Sequence, residues 1–214
     1  MIYIVSDLHI DPIDGFFTPV KSKFHDFLDM VGDNYLIING DLLDLWSWSL
    51  NNILSGVNKD IIERLKVKEN VHLILGNHDL YPIAMRSVFS GPNDIKMYIN
   101  IGPWKIFHGY QVDPVLDNPI ERWNVATGAR IIQALNWSWL NKIRDRLTKG
   151  ERTNEPLIKA LKEKNSNYIL GHSHEALIYD GWYINEGCWS GNSDLTYCMI
   201  DENKQYSVEL KTWK

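Results

Sequence analysis

Three short apolar runs, IYIV (2 to 5), YLII (35 to 38) and VHLIL (71 to 75), recur about every 35 residues, and the segments between them are helical in pattern. Phe24, Phe27, Leu28 and Val31 fall at i, i+3, i+4 and i+7, and Val57, Ile61, Ile62 and Leu65 make a second apolar stripe. Strands without polar alternation are covered on both faces. Strands joined through helices are parallel, linked by right-handed crossovers. The first half of the chain is therefore α/β.

Further strands are expected at KMYI (96 to 99), KIFH (105 to 108), NYIL (167 to 170), ALIY (176 to 179), WYIN (182 to 185), TYCMI (196 to 200) and YSVEL (206 to 210), the last two forming a hairpin around DENKQ. Between about residues 115 and 164 the rhythm breaks. There Ile131, Leu135, Trp139, Ile143 and Leu147 mark a long amphipathic helix, and Asn154 before Glu155-Pro156 caps a second. This segment reads as a helical insertion within a single domain spanning residues 1 to 214, since 214 residues at 44% hydrophobic content suffice for one full core.

In an open α/β sheet, ligands bind at the carboxyl ends of the strands. The residues there are Asp7-x-His9, Gly40-Asp41-x-x-Asp44, Gly76-Asn77-His78-Asp79, His108-Gly109 and Gly171-His172-Ser173-His174. Singly, each has a plain explanation: an Asp caps a turn, a His makes a structural hydrogen bond, a Gly relieves a bend. His25 and His72, outside these loops, are read that way. The coincidence of five strand ends is not explained so. Five of the seven histidines stand in them, and the Asp-x-His and His-x-His spacings let alternate side chains of an extended segment point the same way. Carboxylate, imidazole and carboxamide without thiolate suit manganese, iron, zinc, cobalt or nickel.

DxH, GDxxD, GNHD, HG and GHxH in this order resemble the calcineurin-like metallophosphoesterase superfamily over residues 1 to about 190. The resemblance implies an αββα sandwich of mixed sheets with a two-metal centre at its rim. It places Asp7, His9, Asp41 and His174 on one divalent ion and Asp41, Asn77, His108 and His172 on the other, with manganese the foremost candidate. Gly76 itself permits a sharp turn, and the resemblance implies that His78 stabilises the transition state or protonates the leaving oxygen, with Asp79 orienting its ring. The reaction expected is hydrolysis of a phosphodiester or pyrophosphate by metal-activated hydroxide.

The chain has GDLLDLW and GNHD where the Ser/Thr protein phosphatases of the superfamily have GDxVDRG and GNHE. SDLHID, GDLLDLW, the basic helical insertion and YINEGCW are more similar to the UDP-2,3-diacylglucosamine hydrolase branch, whose insertion is a lid over a nucleotide-lipid pyrophosphate. The chain departs from that branch at His78, where Arg is usual, and at Tyr110, where the third residue of HGD is usual. Trp46, Arg122 and Arg130 are the candidate contacts to substrate. Trp123, Trp137 and Trp139 pack the insertion down or floor an apolar pocket.

Composition bounds the setting. MIYIV lacks the features of a secretory signal, and no apolar run approaches a membrane span. Two cysteines, Cys188 and Cys198, point to a reduced, cytoplasmic protein. The formal net charge is -5, yet Ile120 to Lys164 holds ten Lys or Arg against five Asp or Glu. A negative remainder argues against a stable nucleic-acid partner, and the basic segment offers a peripheral contact with an anionic membrane. A nuclease or cyclic-nucleotide phosphodiesterase using the same centre is the alternative. A non-catalytic scaffold would be expected to have lost some of the seven ligand positions, and all are filled.

Overall fold

The computed structural model describes residues 1–89, 94–114, 116, 127, 153–191 and 194–214. The expected runs become β1 (Ile2–Val5), β2 (Tyr35–Asn39) and β3 (Val71–Ile74), which lie parallel and continue into β4 (Asp94–Lys96). On the other side of β1 runs the hairpin of β10 (Thr196–Asp201) and β11 (Ser207–Thr212), with β10 antiparallel to β1. This first sheet has the order β11-β10-β1-β2-β3-β4. The second is built from β5 (Ile99–Ile101), β6 (Trp104–Ile106), β7 (Asn167–Leu170), β8 (Leu177–Tyr179) and β9 (Tyr183–Asn185) in the order β5-β6-β7-β9-β8.

Alternation along the strands sorts the side chains into layers. Ile2 and Ile4 of β1, with Ile37 and Ile74, meet Trp104, Ile106, Ile169 and Ile184 of the second sheet in a dry layer between the sheets. Full burial of each such isoleucine contributes roughly 1.5–3 kcal/mol. Tyr3, Val5, Leu36, Ile38 and Leu73 face the opposite way, against helices α1 (Lys21–Val31) and α3 (Lys59–Val67). On the far side of the second sheet, Phe107, Tyr168 and Leu170 pack with Leu157 and Leu161 of α5 (Glu155–Leu161). Helix, sheet, sheet, helix is the expected αββα sandwich.

Several local expectations are corrected. KMYI is no single strand: Lys96 pairs with Ile74 in the first sheet, Ile99 pairs with Ile106 in the second, and exposed Met97 and Tyr98 carry the chain between them. Val57 precedes α3 and is exposed, while α2 (Leu50–Ser55) and α4 (Pro82–Val88) add helices the periodicity does not reveal. Asn154 stands at the N-cap of α5 without capping it; its side chain instead donates to Glu175 and accepts from Ser173 and Tyr183. Helix α5 packs on the outer face of the second sheet. The long helix around Ile131 to Leu147, with Trp123, Trp137 and Trp139, lies outside the described residues, and among the described residues no helix is long and apolar enough to cross a membrane.

Candidate metal centre

Beyond Val5 the chain stays paired with the loop after β2: Asp7 N–H donates to Gly40, His9 to Asp41 and Ile10 to Leu42. Two loops that would otherwise splay are thus held as a ribbon over the end of the sheet. Along it and along the loop after β7, Asp7, His9, Asp41, His172 and His174 all adopt left-handed backbone, with φ of 54°, 47°, 52°, 72° and 62°. Gly76 does not, although the chain bends directly after it, at Asn77, His78 and Asp79. It is glycine because a Cβ would overlap the carboxylate and backbone nitrogen of Asp41. Gly171 has the same cause, its absent Cβ leaving space for Ser6 and the Asp7 carboxylate.

The ligand atoms converge. Nε2 of His174 lies 3.0 Å from Asp7 Oδ1 and 3.2 Å from Nε2 of His9, and Nε2 of His108 lies 3.2 Å from Asp41 Oδ2 and 3.8 Å from Asp7 Oδ1. Three overlapping groups, Asp7-His9-His174, His9-Asp41-His78 and Asp7-Asp41-His108, each bring three donor atoms within 4.8 Å of one another. Burial is nearly complete, yet Asp7 Oδ1, His9 Nδ1, His108 Nε2 and both amide atoms of Asn77 have no hydrogen-bond partner. Buried polar atoms are paired almost without exception, and unpaired ones gathered among carboxylate and imidazole ligand types fit a bound cation. Five of the seven expected ligands, Asp7, His9, Asp41, His108 and His174, take part in these groups. Asn77 is buried beside them with its amide unpaired. His172 stands apart: its ring is 5.2 Å from that of His108, and its Nε2 bonds Asp113 Oδ2 at 2.8 Å. A carboxylate on one imidazole nitrogen orients a histidine for ligation through the other. His108 is oriented likewise, its Nδ1 donating to the carbonyl of Asn39 at 2.7 Å.

The electrostatics fit a cation. Burial opposes ionisation of Asp7 and Asp41, but the histidines around them outweigh it and hold both carboxyls well below the usual range. Burial also opposes charge on His108, and Asp41 and Asp7 override it to raise its pKa to about 10. The potential that holds a proton on His108 so tightly is the one that would draw a divalent ion. His9 goes the other way, to about 4, through burial and the neighbouring His78. Two divalent ions are compatible with this donor set.

His78 is fully buried, and its Nδ1 bonds Asp44 Oδ1 at 2.8 Å while its Nε2 lies 4.0 Å from Asp41 Oδ2. Asp44 therefore takes the position expected of Asp79. Asp79 accepts instead from the N–H groups of Gly76 and Leu42, and burial together with the charge of Asp41 raises its pKa to about 7. Trp46 is stacked on the His78 ring, centroids 4.2 Å apart and planes at 18°, buried with Tyr110 and Leu116. It backs the histidine rather than facing a substrate. Arg122 and Arg130 lie outside the described residues. Sequence reasoning missed Asp44 as partner of His78, Asp113, and Asn39, and gave no role to Glu186, which Asn39 meets at 2.8 Å beneath the centre. Burial foremost pushes Glu186 up to about 8.

With that geometry in view, the sequence matches the profile of the calcineurin-like phosphoesterases over residues 1–204. The chain belongs to this family. It is a metal-dependent phosphoesterase, and the clustered Asp and His side chains are where metal can be held. The phosphoesterase is similar in fold to a structure described as a novel archaeal phosphodiesterase, with 17% identity, a TM-score of 0.52 and coverage of 99% of this chain and 98% of that one. It is similar also to YfcE, a phosphoesterase from E. coli, with 16% identity, a TM-score of 0.50 and coverage of 100% and 99%. No curated protein sequence matches it at a significant level.

Proposed function

We propose that the phosphoesterase hydrolyses a phosphodiester or pyrophosphate bond in a small nucleotide-linked or lipid-linked substrate, using two divalent ions, manganese foremost. Asp7, His9, Asp41 and His174 would hold one ion, and Asp41, Asn77, His108 and His172 the other. The observation that carries this reading is the convergence of largely buried donor groups on Asp7, His9, Asp41, His108 and His174, with Asp7 Oδ1 and His108 Nε2 among them left without a hydrogen-bond partner. When bound, such ions supply positive charge to the phosphate oxygens and acidify water. Asp41 stands in two of the three donor groups, as do Asp7 and His9, and would be the ligand shared by both ions. His78 keeps Nε2 toward the centre because Asp44 takes its Nδ1–H and Trp46 fixes the ring plane, so its task is to hold or give a proton at the leaving oxygen. Diester rather than monoester chemistry is further supported by the description of the archaeal neighbour as a phosphodiesterase. Cytoplasmic location is supported by two buried cysteines that form no disulfide.

The test is hydrolysis of bis(p-nitrophenyl) phosphate by protein stripped of metal and reloaded with manganese, with Asp41→Asn and His78→Ala beside the wild type. Turnover abolished by Asp41→Asn together with bound metal, and abolished by His78→Ala with metal retained, is expected. Metal lost along with activity in His78→Ala would make His78 a ligand, as its grouping with His9 and Asp41 also allows. Absence of diesterase activity in fully metal-loaded wild type, on this ester and on nucleotide pyrophosphates, overturns the reading.

A further inference from the structure

The outer face of the second sheet carries a cavity of about 190 Å³ between β6, the start of β7 and the end of α5, walled by Tyr98, Lys105, Phe107, Leu161, Lys164 and Tyr168. It is separate from the metal centre. Ile106 and Ile169 point into the layer between the sheets, whereas their neighbours Phe107 and Tyr168 point outward. Lys105 stands three residues before His108, roughly 10 Å along an extended chain.

The wall chemistry is selective. Three aromatic rings and a leucine supply flat apolar surface, two lysines supply charge, and no lining residue is acidic. The ammonium of Lys105 lies 4.8 Å from the centre of the Tyr98 ring and 5.9 Å from that of Phe107. Among the described residues neither Lys105 nor Lys164 has a carboxylate partner. A cation resting on ring faces holds its place by the ring quadrupole, a weaker attraction at an exposed site than an anion combined with the same rings. Tyr98 is 49% exposed, so one wall is open to solvent. At this volume the occupant is smaller than the drug-sized ligands held in cavities above roughly 300 Å³.

We propose that this cavity is a second binding site, for a small aromatic anion of one or two fused rings, with the ring between Tyr98, Phe107 and Tyr168 and the anionic group between Lys105 and Lys164. The probe is 1-naphthalenesulfonate, titrated calorimetrically against the whole protein, with neutral 1-naphthalenemethanol as its uncharged counterpart. One saturable site is expected, about five- to tenfold tighter for the sulfonate, which is what two exposed ion pairs contribute. In Lys105→Gln/Lys164→Gln, a change confined to exposed side chains, that preference collapses toward parity while the melting temperature holds. Tyr98→Ala weakens both probes, and Asp41→Asn leaves both unchanged. No saturable binding, equal affinity for the two probes in wild type, or sulfonate binding lost in Asp41→Asn and retained in the double lysine variant would each overturn the proposal.

Discussion

Asp44 and Asp79 are the two carboxylates that could serve His78, and substituting each by asparagine separates them. The His78 Nδ1 to Asp44 Oδ1 bond is 2.8 Å long between side chains only 1% and 5% exposed. A hydrogen bond to a charged group contributes about 1.5–3 kcal/mol against about 0.5–1.5 for a neutral one. Asp44→Asn keeps an acceptor and loses the charge, a difference of about 1–1.5 kcal/mol, or near tenfold in kcat. Asp44→Ala loses the whole bond and should cost on the order of a hundredfold. In both, KM and metal stoichiometry stay at wild-type values, because Asp44 belongs to none of the three donor groups and meets the centre through His78. Asp79→Asn turns an amide N–H toward one of two backbone donors, Gly76 or Leu42, each 2.7 Å from the carboxylate. Its cost, about 1–3 kcal/mol, falls on stability. Steady-state kinetics with the diester and denaturant unfolding of the same preparations give both numbers. Equal kcat in Asp44→Ala and wild type, or a kcat defect in Asp79→Asn with unchanged stability, would refute the assignment.

Glu186 sets a pH dependence. Its folded pKa is raised to about 8, so the folded chain keeps a proton that the unfolded chain has released. The stability this gives is fully present below the ordinary glutamate range and is lost as pH rises through about 8, with a slope of up to about 1.4 kcal/mol per unit. In metal-free protein, Glu186→Gln removes that slope; parallel stability profiles for variant and wild type from pH 5 to 8 would count against a buried, neutral Glu186. Metal added at a hundredfold excess over its Kd should stabilise stripped protein by about 2.7 kcal/mol, raising Tm by roughly 5–10 °C, and an unchanged melt would contradict a resident metal. Gly76→Ala drives a methyl group into Asp41 and should reduce both metal content and turnover by more than about tenfold, whereas wild-type metal content would show that the close approach has no bearing on the site.

The sheet framework was legible because β1, β2 and β3 are covered on both faces, and such strands write themselves as unbroken apolar runs. The passage from β4 to β5 was not: Asp94–Lys96 is a polar, three-residue edge strand, and nothing in KMYI marks where one sheet is left for the other. The strand-end motifs exposed the ligand types because chemistry there needs particular side chains. They could not show which carboxylate meets His78, since adjacency in sequence favoured Asp79 while the contact comes from Asp44, 34 positions earlier. The pairing of Asn39 with Glu186 was hidden for the same reason, the two being 147 positions apart and meeting only once the two sheets face each other.

Left-handed backbone at Asp7, His9, Asp41, His172 and His174 sets activity against stability. Each non-glycine residue held there costs roughly 1 kcal/mol, so five approach the lower end of the 5–15 kcal/mol by which a domain outlasts its unfolded chain. Glycine would relieve every one of them, and asparagine much of it. A lineage selected only to stay folded would drift toward those replacements and lose its donor atoms in the process. Asn165, Asp180, Gln205 and Tyr206 hold the same backbone in surface turns, but only at the rim do all five positions carry carboxylate or imidazole, a composition that folding opposes and metal chemistry requires.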